Sequence, residues 1–117
     1  ITMNIINKSA NVASSFDLYK LVQSPERKKL TDIKGQAITL DKWVLYTEPD
    51  KDGKEMKLLA LTTADGSAYC TNSATFCRSF ESAVAMFAQF GEEFHEIQVT
   101  TGTSKNGRDY IDCVVVG

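Results

Sequence analysis

The sequence is short of most features that mark an enzyme, a metalloprotein or a membrane protein. No apolar run approaches the roughly 18 residues needed to cross a bilayer. Cysteine is scarce: Cys70, Cys77 and Cys113 stand apart, with no C-x-x-C pair, and His95 is the single histidine. That inventory argues against a zinc site, and the three thiols read as small packed hydrophobes of a reducing compartment. Positive charge is not in excess. Thirteen Lys and Arg against fifteen Asp and Glu leave a net charge of −2. This balance argues against a protein that coats nucleic acid by bulk charge, but it leaves room for a local basic groove. There is no Gly-rich phosphate loop, and Asp50 and Asp52 begin a calcium-loop pattern that is not continued. His95 sits among Glu92, Glu93 and Glu96 with no nucleophile motif beside it, so it reads as a surface histidine. A basic start followed by an apolar stretch, the mark of a signal peptide, is missing. Met3 reads as the natural start, with Ile1 and Thr2 a remnant ahead of it. No catalytic group, metal or cofactor is expected.

What remains is an ordinary globular composition over 117 residues, 43% hydrophobic and 24% charged, enough for one domain. Residues 3–10 are polar with a short apolar start and read as a strand or a loose arm. Val12, Phe16, Tyr19 and Val22 or Gln23 recur at helical spacing and predict a short helix over 11–23, ended by Ser24-Pro25. A basic connection follows over 26–36. Its Arg27, Lys28 and Lys29 belong to the longest basic stretch, Lys20 to Lys34.

Residues 37–47 are rich in β-branched and aromatic side chains and read as a long strand that can bend. Asp52-Gly53 marks a turn, Glu55 to Thr62 the return strand, Ala64 to Ser67 a second turn, and Ala68 to Thr71 a third strand. The period then changes. Phe76, Phe80, Val84 and Phe87, with Ala83, form the apolar stripe of a helix over about 74–90. A cap at Asn72, Ser73 or Thr75 starts it and Gly91 ends it. Alternation resumes at 94–101, an Asn106-Gly107 hairpin signal follows, and the last strand covers 108–116 with Ile111, Cys113 and Val115 on one face.

The order strand-strand-strand-helix-strand-strand fits a mainly β, five-stranded OB-type Greek-key barrel plugged by the helix between strands three and four. Residues 1–36 form an N-terminal arm or helix packed on the barrel of 37–117, a single domain overall. An open α+β sheet with a helix across one face has the same order of elements.

Two stretches go beyond pattern: Ala68-Tyr69-Cys70-Thr71-Asn72-Ser73-Ala74-Thr75-Phe76-Cys77-Arg78-Ser79-Phe80-Glu81 and Gly102-Thr103-Ser104-Lys105-Asn106-Gly107-Arg108-Asp109-Tyr110-Ile111. With Leu61-Thr62-Thr63-Ala64-Asp65-Gly66 before them, they resemble single-stranded DNA-binding proteins of phages of Gram-positive bacteria, of the lactococcal phage type. The resemblance covers about residues 37–116 and carries no metal or catalytic signature. It implies an OB fold, no enzymatic activity, and a role in phage DNA replication or recombination in the cytoplasm of the infected host. On this reading the expected form is a homo-oligomer, dimer or larger, that lengthens the binding track, with phage or host replication or recombination proteins as further partners. Cellular single-strand binders end in an acidic recruiting tail, whereas this chain reads Val114-Val115-Val116-Gly117, so recruitment through such a tail is not expected.

Single strands are held by aromatic faces under the bases and cations along the phosphates. The candidates are Lys42, Trp43 and Tyr46 on the first long strand, Lys57 on the second and Tyr69 on the third. Lys105 and Arg108 at the last hairpin and Tyr110 beyond it complete the set. Trp43 and Leu45 share one face and Val44 and Tyr46 the other, so either aromatic could be inside; Tyr110, opposite in parity to Ile111, points out. The rival expectation is an OB-like adaptor that binds a replication or recombination protein and touches DNA weakly.

Overall fold

The computed structural model describes residues 3–117, so the reading of Ile1 and Thr2 as a remnant lies outside the described residues. The elements are β1 (Asn4–Lys8), α1 (Ser15–Gln23), β2 (Lys28–Lys29), a 3-10 turn (Leu30–Ile33), β3 (Ala37–Pro49), β4 (Glu55–Thr63), β5 (Ala68–Thr71), α2 (Ala74–Ala88), β6 (Glu96–Thr103) and β7 (Asp109–Val115). They build a mainly β, OB-like protein: one curled mixed sheet with two helices.

The 13-residue β3 organises the sheet. Its start, Ala37–Thr39, pairs antiparallel with β6, and Leu40–Pro49 pairs with β4. The register shifts between Leu40 and Lys42. A bulge of this kind bends a strand and raises its local twist, which lets one strand serve two halves of a curled sheet. β4 continues to β5, and β6 to β7, through tight antiparallel ladders.

The strand count differs from the five expected. β1 pairs with β3 at Val44–Thr47, and β2 lies parallel on β5, giving the order β2-β5-β4-β3-β6-β7 with β1 off the path. Among the described residues no ladder joins β7 to β5, so hydrogen bonding leaves a half-barrel rather than a closed ring. Neither added strand carries a periodic signal: β1 is exposed throughout, and β2 is two exposed lysines. Next to β2, Leu30 is fully buried in the main core.

Because side chains alternate along a strand, β3 feeds two cores. Trp43 and Leu45 point to the concave side, where Leu59, Leu61, Ile97, Val99 and Ile111 meet Phe76 and Phe80 of α2. Val44 and Tyr46 point to the other side, under Leu21 and Val22 of α1 and Val12. The main core is ordered by edge-to-face aromatic contacts, which the ring quadrupoles favour. Trp43 meets Phe80 at 5.0 Å, Phe80 meets Phe94 at 5.3 Å, and Phe94 meets Phe87 at 5.3 Å.

Helix α2 matches its stripe closely. The Ser73 hydroxyl accepts from the Phe76 N–H at its start. At its end Gly91, at φ +67, lets the chain turn back while the Glu92 N–H reaches the Phe87 carbonyl. Helix α1 departs from expectation. It begins at Ser15, with the Ser14 hydroxyl accepting from the Asp17 N–H, and it buries Leu21 and Val22 while Phe16 and Tyr19 face solvent. The stripe that packs is Leu18, Leu21 and Val22, rotated from the aromatic one.

The outer edge of β7 is blocked chemically. The Asp112 carboxylate accepts from the Cys113 N–H and from the Ser79 hydroxyl of α2. A charge turned onto a strand edge discourages pairing with another chain.

The thiols give a direct check on the core. Burial pushes Cys77 up to about 11 and Cys113 up to about 12, so neither forms the reactive thiolate near neutrality. Cys70 is only half-buried. At pH 8 a thiol reagent is expected to titrate one group in the folded protein and three after denaturation. Three rapid reactions in the native state would mean that the core around α2 is open.

Candidate nucleic-acid interface

The eight residues expected to carry binding fall into four groups. Trp43 and Tyr46 lie inside, 7% and 1% exposed, one in each core. Both sides of β3 are buried, which answers the parity question; what remains open of Trp43 lines a hollow of about 170 Å³ with Lys8, Phe87 and Phe94. Burial also raises the Tyr46 phenol above its ordinary value. Lys57 is exposed and pairs with Glu81 of α2 at 2.9 Å. Lys105, Arg108 and Tyr110 stand together at the β6–β7 hairpin, all exposed. The Tyr110 ring lies across Gly102, its cross-strand partner; a Cβ on that glycine would come within 2.5 Å of the ring. Glycine is therefore what allows this ring to lie flat on the ladder.

Lys42 and Tyr69 form the fourth group, and they line two of three neighbouring hollows that share wall residues around the β4–β5 turn, together called the groove below. One hollow of about 300 Å³ runs between α1 and the sheet, past Lys20, Lys42, Thr62, Thr63 and Gly66. A second, of about 440 Å³, is lined by Glu26, Lys28 and residues 65–68. A third, of about 260 Å³, holds Tyr69 with Gln36–Thr39 and Thr63–Asp65. Glu26, Gly66 and Ala68 belong to the first and second hollows, Asp65 to the second and third, and Thr63 to the first and third. Tyr69 is 9% exposed, and it lines that third hollow.

The turn that the groove wraps is held rigidly. Asp65 accepts from the Thr63 hydroxyl and, at 3.0 Å, from the Ser67 N–H. Gly66 sits at φ +88, a conformation that L side chains rarely adopt. The Thr63 hydroxyl holds the Asp65 carboxyl below its ordinary range, helped by Ser67. Asp17 is lowered mainly by the Ala13 N–H, against a desolvation cost, with a contribution from Lys42. Both acids are thus charged at neutral pH and already engaged by the protein. Asp41 takes Lys42 at 3.5 Å. The groove offers three lysines, Lys20, Lys28 and Lys42, to a ligand, but the four acids Asp17, Glu26, Asp41 and Asp65 leave its lining with a formal charge of −1.

Lys20 and Lys28, which line these hollows, were not among the expected residues; both belong to the basic stretch Lys20 to Lys34. The available signal was Lys28 entering β2, in register with Tyr69. Among the described residues no group of three His, Cys, Asp or Glu side chains could hold a metal ion. No described helix is long and apolar enough to cross a membrane.

A family model described as phage single-stranded DNA-binding protein, of the Phi29 type, matches residues 7–115. No curated protein and no solved structure matches the chain. The family match agrees with the resemblance read over residues 37–116 and extends it back through α1 and β2.

Proposed function

The chain belongs to the phage single-stranded DNA-binding protein family, and from that premise we propose a non-enzymatic protein that binds single-stranded DNA without sequence preference during phage replication or recombination. The family match over residues 7–115 carries the reading. The groove around the β4–β5 turn supports it, with lysines spaced along a path that ends on Tyr69. In this reading β3 to β7 are the five strands of an OB-type barrel, α2 is its plug, and residues 1–36 are an arm packed on a single domain. Its place of action is the cytoplasm of the infected bacterium. Homo-oligomers, dimers or larger, lengthen the track, and phage or host replication proteins are its other partners.

Three phosphate contacts imply a shallow salt dependence. Counterion release from a single strand scales at roughly 0.7 per phosphate, so affinity falls about 20-fold between 50 and 200 mM salt for three contacts. The remainder comes from stacking, worth about 1–3 kcal/mol per base. Lys105, Arg108 and Tyr110 form a second candidate contact, beyond the groove.

The test is fluorescence anisotropy of a labelled thymidine oligonucleotide, with a duplex of equal length as control. Tight, salt-sensitive binding to the single strand and weak binding to the duplex is the expected result. No binding at micromolar protein and low salt would leave the adaptor reading in its place. In the same titration Trp43 emission is expected to stay blue-shifted and unquenched, because Phe80 and the core cover its ring. Strong quenching would mean that the ring moves out to meet the bases.

A further inference from the structure

We propose that the outer face of α1, carrying Phe16 and Tyr19, is a base-stacking station that extends the single-strand path beyond the groove; the inference rests on the single-stranded DNA reading above. Phe16 is 65% and Tyr19 54% exposed, although the helix buries Leu21 and Val22 beside them. Residues three apart on a helix are surface neighbours, so the two side chains share one exposed face of α1. They contribute nothing to the core under α1, which is complete with Leu18, Leu21, Val22 and Val12 against Val44 and Tyr46.

Lys20 decides the occupant. Its Nζ lies 5.2 Å from the Phe16 ring centroid, and the same side chain lines the first hollow of the groove. One residue thus touches both the aromatic pair and the proposed DNA path, making the two surfaces continuous. With Lys20 over one face, Phe16 keeps enough exposure for its other face to take a base. A cation next to two open rings suits a polyanion bearing flat bases, where stacking and phosphate pairing act together. It suits an apolar protein helix less well, because docking would desolvate the ammonium. The charge balance of the groove points the same way: with four acids among its lysines, a strand gains more from added stacking faces than from charge.

Binding should therefore depend on length. A short thymidine oligomer occupies the groove alone, and a longer one reaches α1 and gains affinity. Phe16→Ala with Tyr19→Ala removes both rings from an exposed face, so folding should survive; circular dichroism and a thermal melt verify it. The double variant is expected to lose at least about 10-fold in affinity for the longer oligomer and nothing for the shortest that binds. Phe16→Trp provides an independent readout: its added, solvent-exposed emission should be quenched by the long oligomer and not by the short one. If the wild type binds but the double variant matches it at every length and Trp at position 16 is unquenched, this inference is overturned while the single-stranded DNA reading stands. That result would assign the face to a protein partner. If the wild type binds no single strand at any length, both fail.

Discussion

Replacing Lys20, Lys28 and Lys42 together by glutamine is expected to weaken binding to a thymidine oligonucleotide by on the order of 100-fold at low salt. The salt dependence should become nearly flat at the same time. All three ammonium groups line hollows that share walls around the β4–β5 turn, and no other lysine or arginine lines those three hollows. Each phosphate contact removed from a single strand takes about 0.7 from the slope of log affinity against log salt. The variant separates two accounts of affinity. In the groove account the slope collapses. In a hairpin account, with phosphates on Lys105 and Arg108, the triple variant keeps its slope, and changes at 105 and 108 remove it. Glutamine keeps only the inner half of each aliphatic stem, so a thermal melt of the triple variant checks that packing is preserved. The three positions lie on α1, β2 and β3, and only Lys42 makes an ion pair, an exposed one with little bearing on stability.

The second large effect concerns stability. Phe80→Ala is expected to cost about 3–5 kcal/mol. Phe80 is fully buried and is the middle ring of the aromatic chain, edge-to-face with Trp43 on one side and Phe94 on the other. Truncation leaves a cavity between the helix and the sheet, and neither neighbour can fill it without leaving its strand or turn. Small domains hold only about 5–15 kcal/mol in all, so the loss is a large fraction of the total. Urea denaturation measures it as a lowered midpoint with an unchanged slope. Trp43 emission should shift to the red in the folded variant, since its ring loses its cover. A cost under about 1 kcal/mol would mean that α2 does not plug the sheet as described.

These two expectations rest on parts of the molecule that were unequally legible in the sequence. The α2 stripe was plain because Phe76, Phe80, Val84 and Phe87 keep one helical face over three turns, with a serine at one end and Gly91 at the other. The two tight turns at Gly53 and Gly66 and the last hairpin were plain for the same reason: local chemistry decides them. β3 was ambiguous because alternation locates a core only when one face of a strand is wet. Here Val44 and Tyr46 are as buried as Trp43 and Leu45, each pair in its own core. β1 was legible only as a strand or a loose arm and β2 gave no signal, since a five-residue exposed strand and a two-residue one are made by pairing with distant partners and not by their own pattern.

The candidate site was harder still. Periodicity on α1 placed Phe16 and Tyr19 inward because it counts aromatics as core, whereas the stripe that packs runs through Leu18, Leu21 and Val22. Of eight expected binding residues, Lys42 and Tyr69 line adjacent hollows that share Thr63. The structure places Lys105, Arg108 and Tyr110 at a hairpin, pairs Lys57 with Glu81, and covers Trp43 and Tyr46. A groove is a property of several chain segments meeting, and Lys20 and Lys28 enter it only through the packing of α1 and the pairing of β2 with β5.

The central claim is that a single strand lies in the groove around the β4–β5 turn. Amide chemical-shift mapping by NMR during titration with a thymidine oligonucleotide tests it most directly. The expected result is a contiguous set of shifts at Lys20, Lys28, Lys42 and residues 63–69, with the β6–β7 hairpin responding weakly. Shifts confined to Lys105–Tyr110, with Gly66 and Tyr69 unmoved, would contradict it.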